Sequence, residues 1–156
     1  VKTLVAGFGN VFFGDDAFGS EVVRALAKES TAAEVRVRDF GISGMHLALE
    51  MLEPYDRIVL VDAIARDDEP GTVYAVEPDV LDNPAVPDAH AMDVRAVLAL
   101  YSRMRRDLDA RTTPPQITII GCVPQTTAEG MALSEPVRAA VPAAVRMIRN
   151  RIGETP

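Results

Sequence analysis

Between residues 7 and 19 the chain reads Gly7-Phe8-Gly9-Asn10-Val11-Phe12-Phe13-Gly14-Asp15-Asp16-Ala17-Phe18-Gly19, and this stretch limits the fold more than any other. Thr3-Leu4-Val5-Ala6 before it is a short apolar run with strand character. After it, Phe18, Val22, Ala25 and Leu26 fall at i, i+4, i+7 and i+8, the spacing of one helical face. The segment therefore predicts a strand, a sharp turn and a helix start. Glycines at 7, 9 and 14 permit the turn, and Asp15-Asp16 place two carboxylates at the positive end of the helix dipole. Taken alone, such a pair needs no purpose beyond capping.

The rest of the chain continues the alternation. Glu34-Val35-Arg36-Val37-Arg38-Asp39 alternates polar and apolar residues and reads as a second strand with one less buried face. Gly41-Ile42-Ser43-Gly44 breaks the pattern, and Met45, Leu47, Ala48, Leu49, Met51 and Leu52 form a short apolar helix closed at Pro54. Arg57-Ile58-Val59-Leu60-Val61-Asp62-Ala63 has no alternation, as in a central parallel strand covered on both faces, and places Asp62 at its carboxyl end. A short strand from Thr72 to Val76 follows.

From Glu77 to Met92, three prolines and several Asp and Ala predict a loop that delivers His90 to a helix beginning near Asp93. Val94, Val97, Leu98, Tyr101 and Met104 give that helix its buried face. Gln116 to Val123 reads as another buried strand. Ser134 is placed to cap a last helix with Pro136 in its first turn and Pro142 kinking its interior. Strands alternating with helices predict a three-layer α/β/α sandwich around a mainly parallel twisted sheet, with residues 1–156 as a single domain.

Composition narrows the function classes. A net charge of -7 without a basic cluster argues against nucleic acid and anionic membrane as partners. No apolar run approaches the roughly 18 residues of a membrane span, and no signal pattern precedes the first strand, so the expected compartment is the cytoplasm. The single cysteine, Cys122, allows neither an internal disulfide nor a cysteine-rich zinc cluster. The expected partner is a protein or a small molecule, and the expected state a monomer.

Open α/β sheets bind ligands beyond the carboxyl ends of their strands, where strand order reverses. In a 2-1-3 order, Asp15 and Asp16 after strand one and Asp62 at the end of strand three flank that point. His90 precedes the helix expected to pack beside it, so two carboxylates and one imidazole form a candidate set for a divalent metal with open positions.

On these residues the chain closely resembles the hydrogenase maturation endopeptidases, which remove a C-terminal extension from the large subunit of nickel-iron hydrogenase. Gly7-Phe8-Gly9-Asn10 with Gly14-Asp15-Asp16-Ala17-Phe18-Gly19 is similar to the family's opening motif, and Val61-Asp62-Ala63 to its second ligand segment. His90 occupies the place of the third ligand, and Gly121-Cys122-Val123-Pro124-Gln125 resembles the last strand and its turn. The resemblance spans nearly the whole chain. It implies Asp16, Asp62 and His90 as metal ligands, a divalent metal that is nickel carried by the substrate, and no organic cofactor. It also implies a hydrogenase large-subunit precursor as partner. Two departures stand out. Asp16 is one methylene shorter than the Glu some members carry, and Asp39-Phe40-Gly41-Ile42-Ser43-Gly44 replaces the Asp-Gly-Gly-Thr often found after strand two.

Competing readings are weaker on the residues themselves. A dinucleotide fingerprint would place glycine where Phe12 stands, and Asp15-Asp16 would repel a pyrophosphate at the helix start. Gly41-Ile42-Ser43-Gly44-Met45 lacks the closing glycine of a nucleophile elbow. Cys122 paired with His90 would make a thiol peptidase, but its apolar segment marks it as a small buried hydrophobe. A resident-zinc peptidase calls for a close His pair, whereas His46 and His90 are far apart. His46 reads as a surface residue, Asp67-Asp68-Glu69 as a solvated turn, and Asp39 as orienting the Gly41 to Gly44 loop. The alternative from another class is a non-catalytic module of the same fold that binds a metal or a peptide tail.

Overall fold

The computed structural model describes residues 1–78, 93–109 and 111–153. Strand β1 (Thr3–Gly7) leads through a 3-10 turn (Gly14–Ala17) into helix α1 (Phe18–Ala27), followed by β2 (Val35–Asp39) and α2 (Gly44–Glu50). Next come β3 (Arg57–Ala63), β4 (Val73–Val76), α3 (Val94–Asp107), β5 (Gln116–Cys122) and α4 (Glu135–Ile152). The five strands form one sheet in the order β2-β1-β3-β5-β4. All neighbours are parallel except β4, which runs antiparallel to β5 with Val73 opposite Cys122.

The period-two geometry of strands sorts the apolar residues into two cores. Leu4, Ala6, Ile58, Leu60, Ile117 and Ile119 face α2 and α3, meeting Leu47, Met51, Val97 and Tyr101. Their immediate neighbours Val5, Val59, Val61, Ile120 and Cys122 face the opposite way, onto Phe18, Val22 and Leu26 of α1 and Val137, Ala144 and Ile148 of α4. Continuous apolar runs in β1, β3 and β5 thus serve both faces, which is why the sheet carries helices on each side. Each fully buried large side chain contributes about 1.5–3 kcal/mol of transfer free energy.

The two sheet edges are handled differently. On β2, Val35 and Val37 are half-buried while Arg36 and Arg38 point outward, and both arginines reach Glu50 of α2 at 2.8 Å. The Tyr55 hydroxyl donates to the same carboxylate at 2.6 Å. These ion pairs decorate an edge that would otherwise invite pairing with another chain. Helix α2 buries one face only. Met45 and Leu49, expected within its apolar surface, are each 49% exposed because the helix turns only Gly44, Leu47 and Ala48 into the core.

Helix α4 runs without a break through Pro142. The proline ring removes one backbone donor, but Pro142 and Arg138, whose carbonyl loses that partner, both lie on the exposed face of the helix, within reach of solvent. Helix α1 sits very close to the sheet: a Cβ added at Gly7 would lie 2.5 Å from the Gly19 carbonyl oxygen. That contact draws the start of α1 against the carboxyl end of β1. None of the helices among the described residues is long and apolar enough to cross a membrane.

Candidate functional site

The order β2-β1-β3 places the reversal of chain direction around the sheet between β1 and β3, and the loops leaving their carboxyl ends converge there. Phe8 continues from β1, its N–H donating to Val61 O at 3.0 Å, and the chain then turns at Gly9, whose φ is 136°. Only glycine fits this turn. A Cβ at Gly9 would stand 1.9 Å from the Asp16 carbonyl oxygen and 3.5 Å from Oδ1 of Asp62, so Gly9 lies directly between the segments carrying the two acids. Its N–H also donates to Gly41 O at 2.8 Å, tying in the loop after β2.

Asp16, in the 3-10 turn, is partly exposed, and its Oδ2 accepts from the Asn10 N–H at 2.8 Å. Asp62, in β3 opposite Gly121 of β5, is 2% exposed, and its Oδ1 is buried with no hydrogen-bond partner among the described residues. Burial pushes the Asp62 carboxyl well above the ordinary carboxylate range, and the charge of Asp16 adds to the effect. The backbone N–H groups of Ala63 and Val94 pull the other way. A buried carboxylate oxygen left unpaired costs about 1–3 kcal/mol or more. An orphaned oxygen beside a second acid is an arrangement that a cation would complete, so the chemistry of this pair fits a divalent metal.

The structure thus brings Asp16 and Asp62 into one electrostatic unit. His90 lies outside the described residues. Asp93, three positions further along the sequence, caps α3 by accepting from the Ala96 N–H at 3.0 Å, and its charge also acts on Asp62. Among the described residues no group of three His, Cys, Asp or Glu side chains is placed to hold a metal.

Asp15 does something the sequence did not reveal. Its side chain is not a helix cap but a fully buried acceptor of four hydrogen bonds from the segment after β5. The Gln125 and Thr126 N–H groups donate to Oδ2 at 2.8 and 3.0 Å, the Ser134 hydroxyl to Oδ2 at 2.8 Å, and the Ser134 N–H to Oδ1 at 2.7 Å. Burial raises the Asp15 carboxyl, but these bonds outweigh it and hold the group below its usual range. Ser134 stands at the N-cap position of α4 as expected, yet its hydroxyl serves Asp15 instead of the helix. The only sequence signal was the doubled acid itself, which a single capping role leaves half explained.

Other expectations fall into place. Asp39 accepts from the Ser20 hydroxyl at 2.8 Å and the Gly41 N–H at 2.9 Å, which orients the loop after β2. His46 is exposed on α2, and Asp67, Asp68 and Glu69 form an exposed turn in which Asp68 pairs with Arg66. Cys122 is fully buried in the α1/α4 core, and burial pushes its thiol up to about 12, with Asp15 adding to the shift. Such a thiol supplies no nucleophile near neutral pH. Cys122→Ala is expected to leave peptide cleavage within about threefold of the parent while costing about 1 kcal/mol in urea denaturation. Complete loss of cleavage in a folded variant would restore the thiol reading.

These features define a class: an α/β protein with a mainly parallel sheet and two acids at its strand-end crevice. The family model for HycI, hydrogenase maturation protease, matches residues 20–151. The chain belongs to the hydrogenase maturation protease family, and so to the hydrolases. It is 32% identical over 155 residues to the hydrogenase expression/formation protein HupD of Rhizobium leguminosarum bv. viciae, covering 96% of this chain and 75% of that one. A hydrogenase 2 maturation peptidase from a Thaumarchaeota archaeon superposes with a TM-score of 0.74 at 28% identity, covering 99% of this chain and all of the other. The hydrogenase maturating endopeptidase HybD of Escherichia coli shares the fold, with a TM-score of 0.78 at 23% identity and coverage of 99% and 93%.

Proposed function

We propose that this protein is the endopeptidase that removes the C-terminal extension of a nickel-iron hydrogenase large-subunit precursor after nickel insertion. Family membership supports a role in processing a hydrogenase precursor. The finer reading rests on one observation above all: the buried, unpaired Oδ1 of Asp62 beside Asp16 at the strand-end crevice.

In this reading the metal belongs to the substrate. Asp16 and Asp62 supply carboxylate oxygens and His90 an imidazole nitrogen to nickel already held by the precursor, which marks the chain as ready for cleavage. Such a donor set, with no thiolate, leaves positions for the precursor's own ligands and suits transient recognition more than permanent retention. Burial of Asp62 strengthens its attraction for a cation, because water competes poorly in the crevice. Asn10 steadies Asp16 through its backbone N–H, and Gly9 allows both acids to approach the same space.

The test is to incubate the purified protein with a nickel-loaded large-subunit precursor and determine both products by mass spectrometry. One cut, releasing an intact C-terminal peptide, is expected; an intact precursor bound without cleavage would favour the non-catalytic alternative. In crystals soaked with a divalent metal, density between Asp16, Asp62 and His90 is expected at roughly 2.0–2.2 Å from their ligand atoms.

A further inference from the structure

The bonds that Asp15 makes exceed what the proposed ligand role of its neighbour requires. Its carboxylate is the focus of four hydrogen bonds from Gln125, Thr126 and Ser134, and its own N–H donates to Thr126 O at 2.9 Å. Two further bonds lock the same segments together: Gly14 N–H to Gly130 O and Gly130 N–H to Phe12 O, both at 2.8 Å. A Cβ at Gly14 would lie 2.9 Å from Thr126 O, so the two loops are in direct backbone contact.

Burial cannot hold this segment. Every residue from Gln125 to Ala132 is exposed, and Leu133 is the first to pack on the core. Its order therefore comes from polar anchors, chief among them the Asp15 carboxylate. Asp16 is held separately, by the Asn10 N–H on its carboxylate, by its own N–H on Phe13 O at 3.1 Å, and by Ala17 and Phe18 buried just after it. Loss of the Asp15 bonds would accordingly free segment 124–134 far more than it would move Asp16.

The locked loops carry three exposed apolar side chains, Phe12, Phe13 and Met131, at 57, 44 and 76% exposure. The Phe13–Gly130 bridge sets them on adjoining backbone, and the Phe13 carbonyl accepts from the Asp16 N–H at 3.1 Å, which ties this apolar lip to the segment that carries Asp16. The occupant that fits is a polypeptide with apolar residues flanking a bound cation, because the cation meets the carboxylates while the flanks meet the lip. A lip that is rigid before binding spares the ordering cost that a mobile one would add.

We propose that Asp15 is a positioning residue that fixes segment 124–134 and so presents Phe12, Phe13 and Met131 to the polypeptide of the substrate. The clamp stands on the hydrogen bonds alone, whereas the lip's occupant rests on the processing reaction proposed above. Asp15→Asn preserves shape but turns one acceptor oxygen into a donor, which must face either the Ser134 N–H or the Gln125 and Thr126 N–H groups.

The experiment joins hydrogen exchange on the free protein with steady-state cleavage of the nickel-loaded precursor. In Asp15→Asn, exchange at Gln125, Thr126, Gly130 and Ser134 should accelerate by about 10²-fold. KM should rise about tenfold while kcat stays within about threefold. Ser134→Ala, which keeps three of the four bonds, gives a smaller change in the same direction and serves if Asp15→Asn does not fold. Met131→Ser should raise KM with exchange unchanged. Unchanged exchange in Asp15→Asn, or a fall in kcat at constant KM, would overturn the proposal. If the unmodified protein cleaves no nickel-loaded precursor, the processing reading and the lip's occupant fall together, while the exchange data still decide the clamp.

Discussion

Asp62→Asn should lose roughly 10²- to 10³-fold in kcat/KM on the nickel-loaded precursor and yet be at least as stable as the parent near neutral pH. The two effects share one cause. A carboxylate held 2% exposed with an unpaired oxygen is costly to the fold, and the neutral amide of the same shape removes the charge that makes it costly. The pH dependence has a definite sign. The folded protein holds the Asp62 proton more tightly than the unfolded chain, so this group favours folding below the unfolded pKa of about 3.9. That contribution is lost as pH rises through the folded pKa, and parental stability should fall relative to Asp62→Asn over the same interval. Melting temperatures of both proteins across a pH series provide the comparison. A variant that melts well below the parent at neutral pH, or that still cleaves, would mean that Asp62 is a structural acid.

Gly19→Ala should produce a large loss of stability, about 3 kcal/mol or more. The added Cβ would lie 2.2 Å from Val61 O, 2.4 Å from Phe8 O and 2.8 Å from Phe8 N, all of them backbone atoms at the carboxyl ends of β1 and β3. Backbone in the centre of a sheet does not yield as a flexible side chain would, so α1 must lift away from the layer it covers. Because the strand ends that carry Gly9 and Asp62 shift with it, cleavage should fall as well. Gly41→Ala is the natural comparison: with φ at 55° and nothing within 4 Å of its added Cβ, its cost is that of backbone conformation, about 1 kcal/mol. Urea midpoints for the two variants test the difference; a Gly19→Ala cost no larger than that of Gly41→Ala would contradict the close packing of α1.

Much of this architecture was legible in the order of the residues. The unbroken apolar run of β3, followed directly by Asp62, announced a central strand and an acid at its carboxyl end, because a strand covered on both faces has no reason to alternate. Gly7 and Gly9 marked the turn between β1 and the acidic pair. The antiparallel course of β4 was not legible, since Val73–Val76 has the same composition whichever way it pairs. The role of Asp15 was hidden for a different reason. Its partners lie 110 to 119 residues away in a segment without hydrophobic periodicity, and a carboxylate at a helix start has a local explanation that conceals a long-range one. Ser134 was hidden in the same way, its capping position legible and its hydrogen bond to Asp15 not.

In the proposed function, Asp16, Asp62 and His90 recognise nickel brought by the substrate and do not hold a metal of the protein's own. Its most direct test is one paired measurement: metal content of the purified protein, then cleavage of the same precursor prepared with and without nickel. Little or no bound metal, with cleavage confined to the nickel-loaded precursor, is the expected result. Stoichiometric zinc retained through chelator treatment, with equal cleavage of the nickel-free precursor, would contradict it.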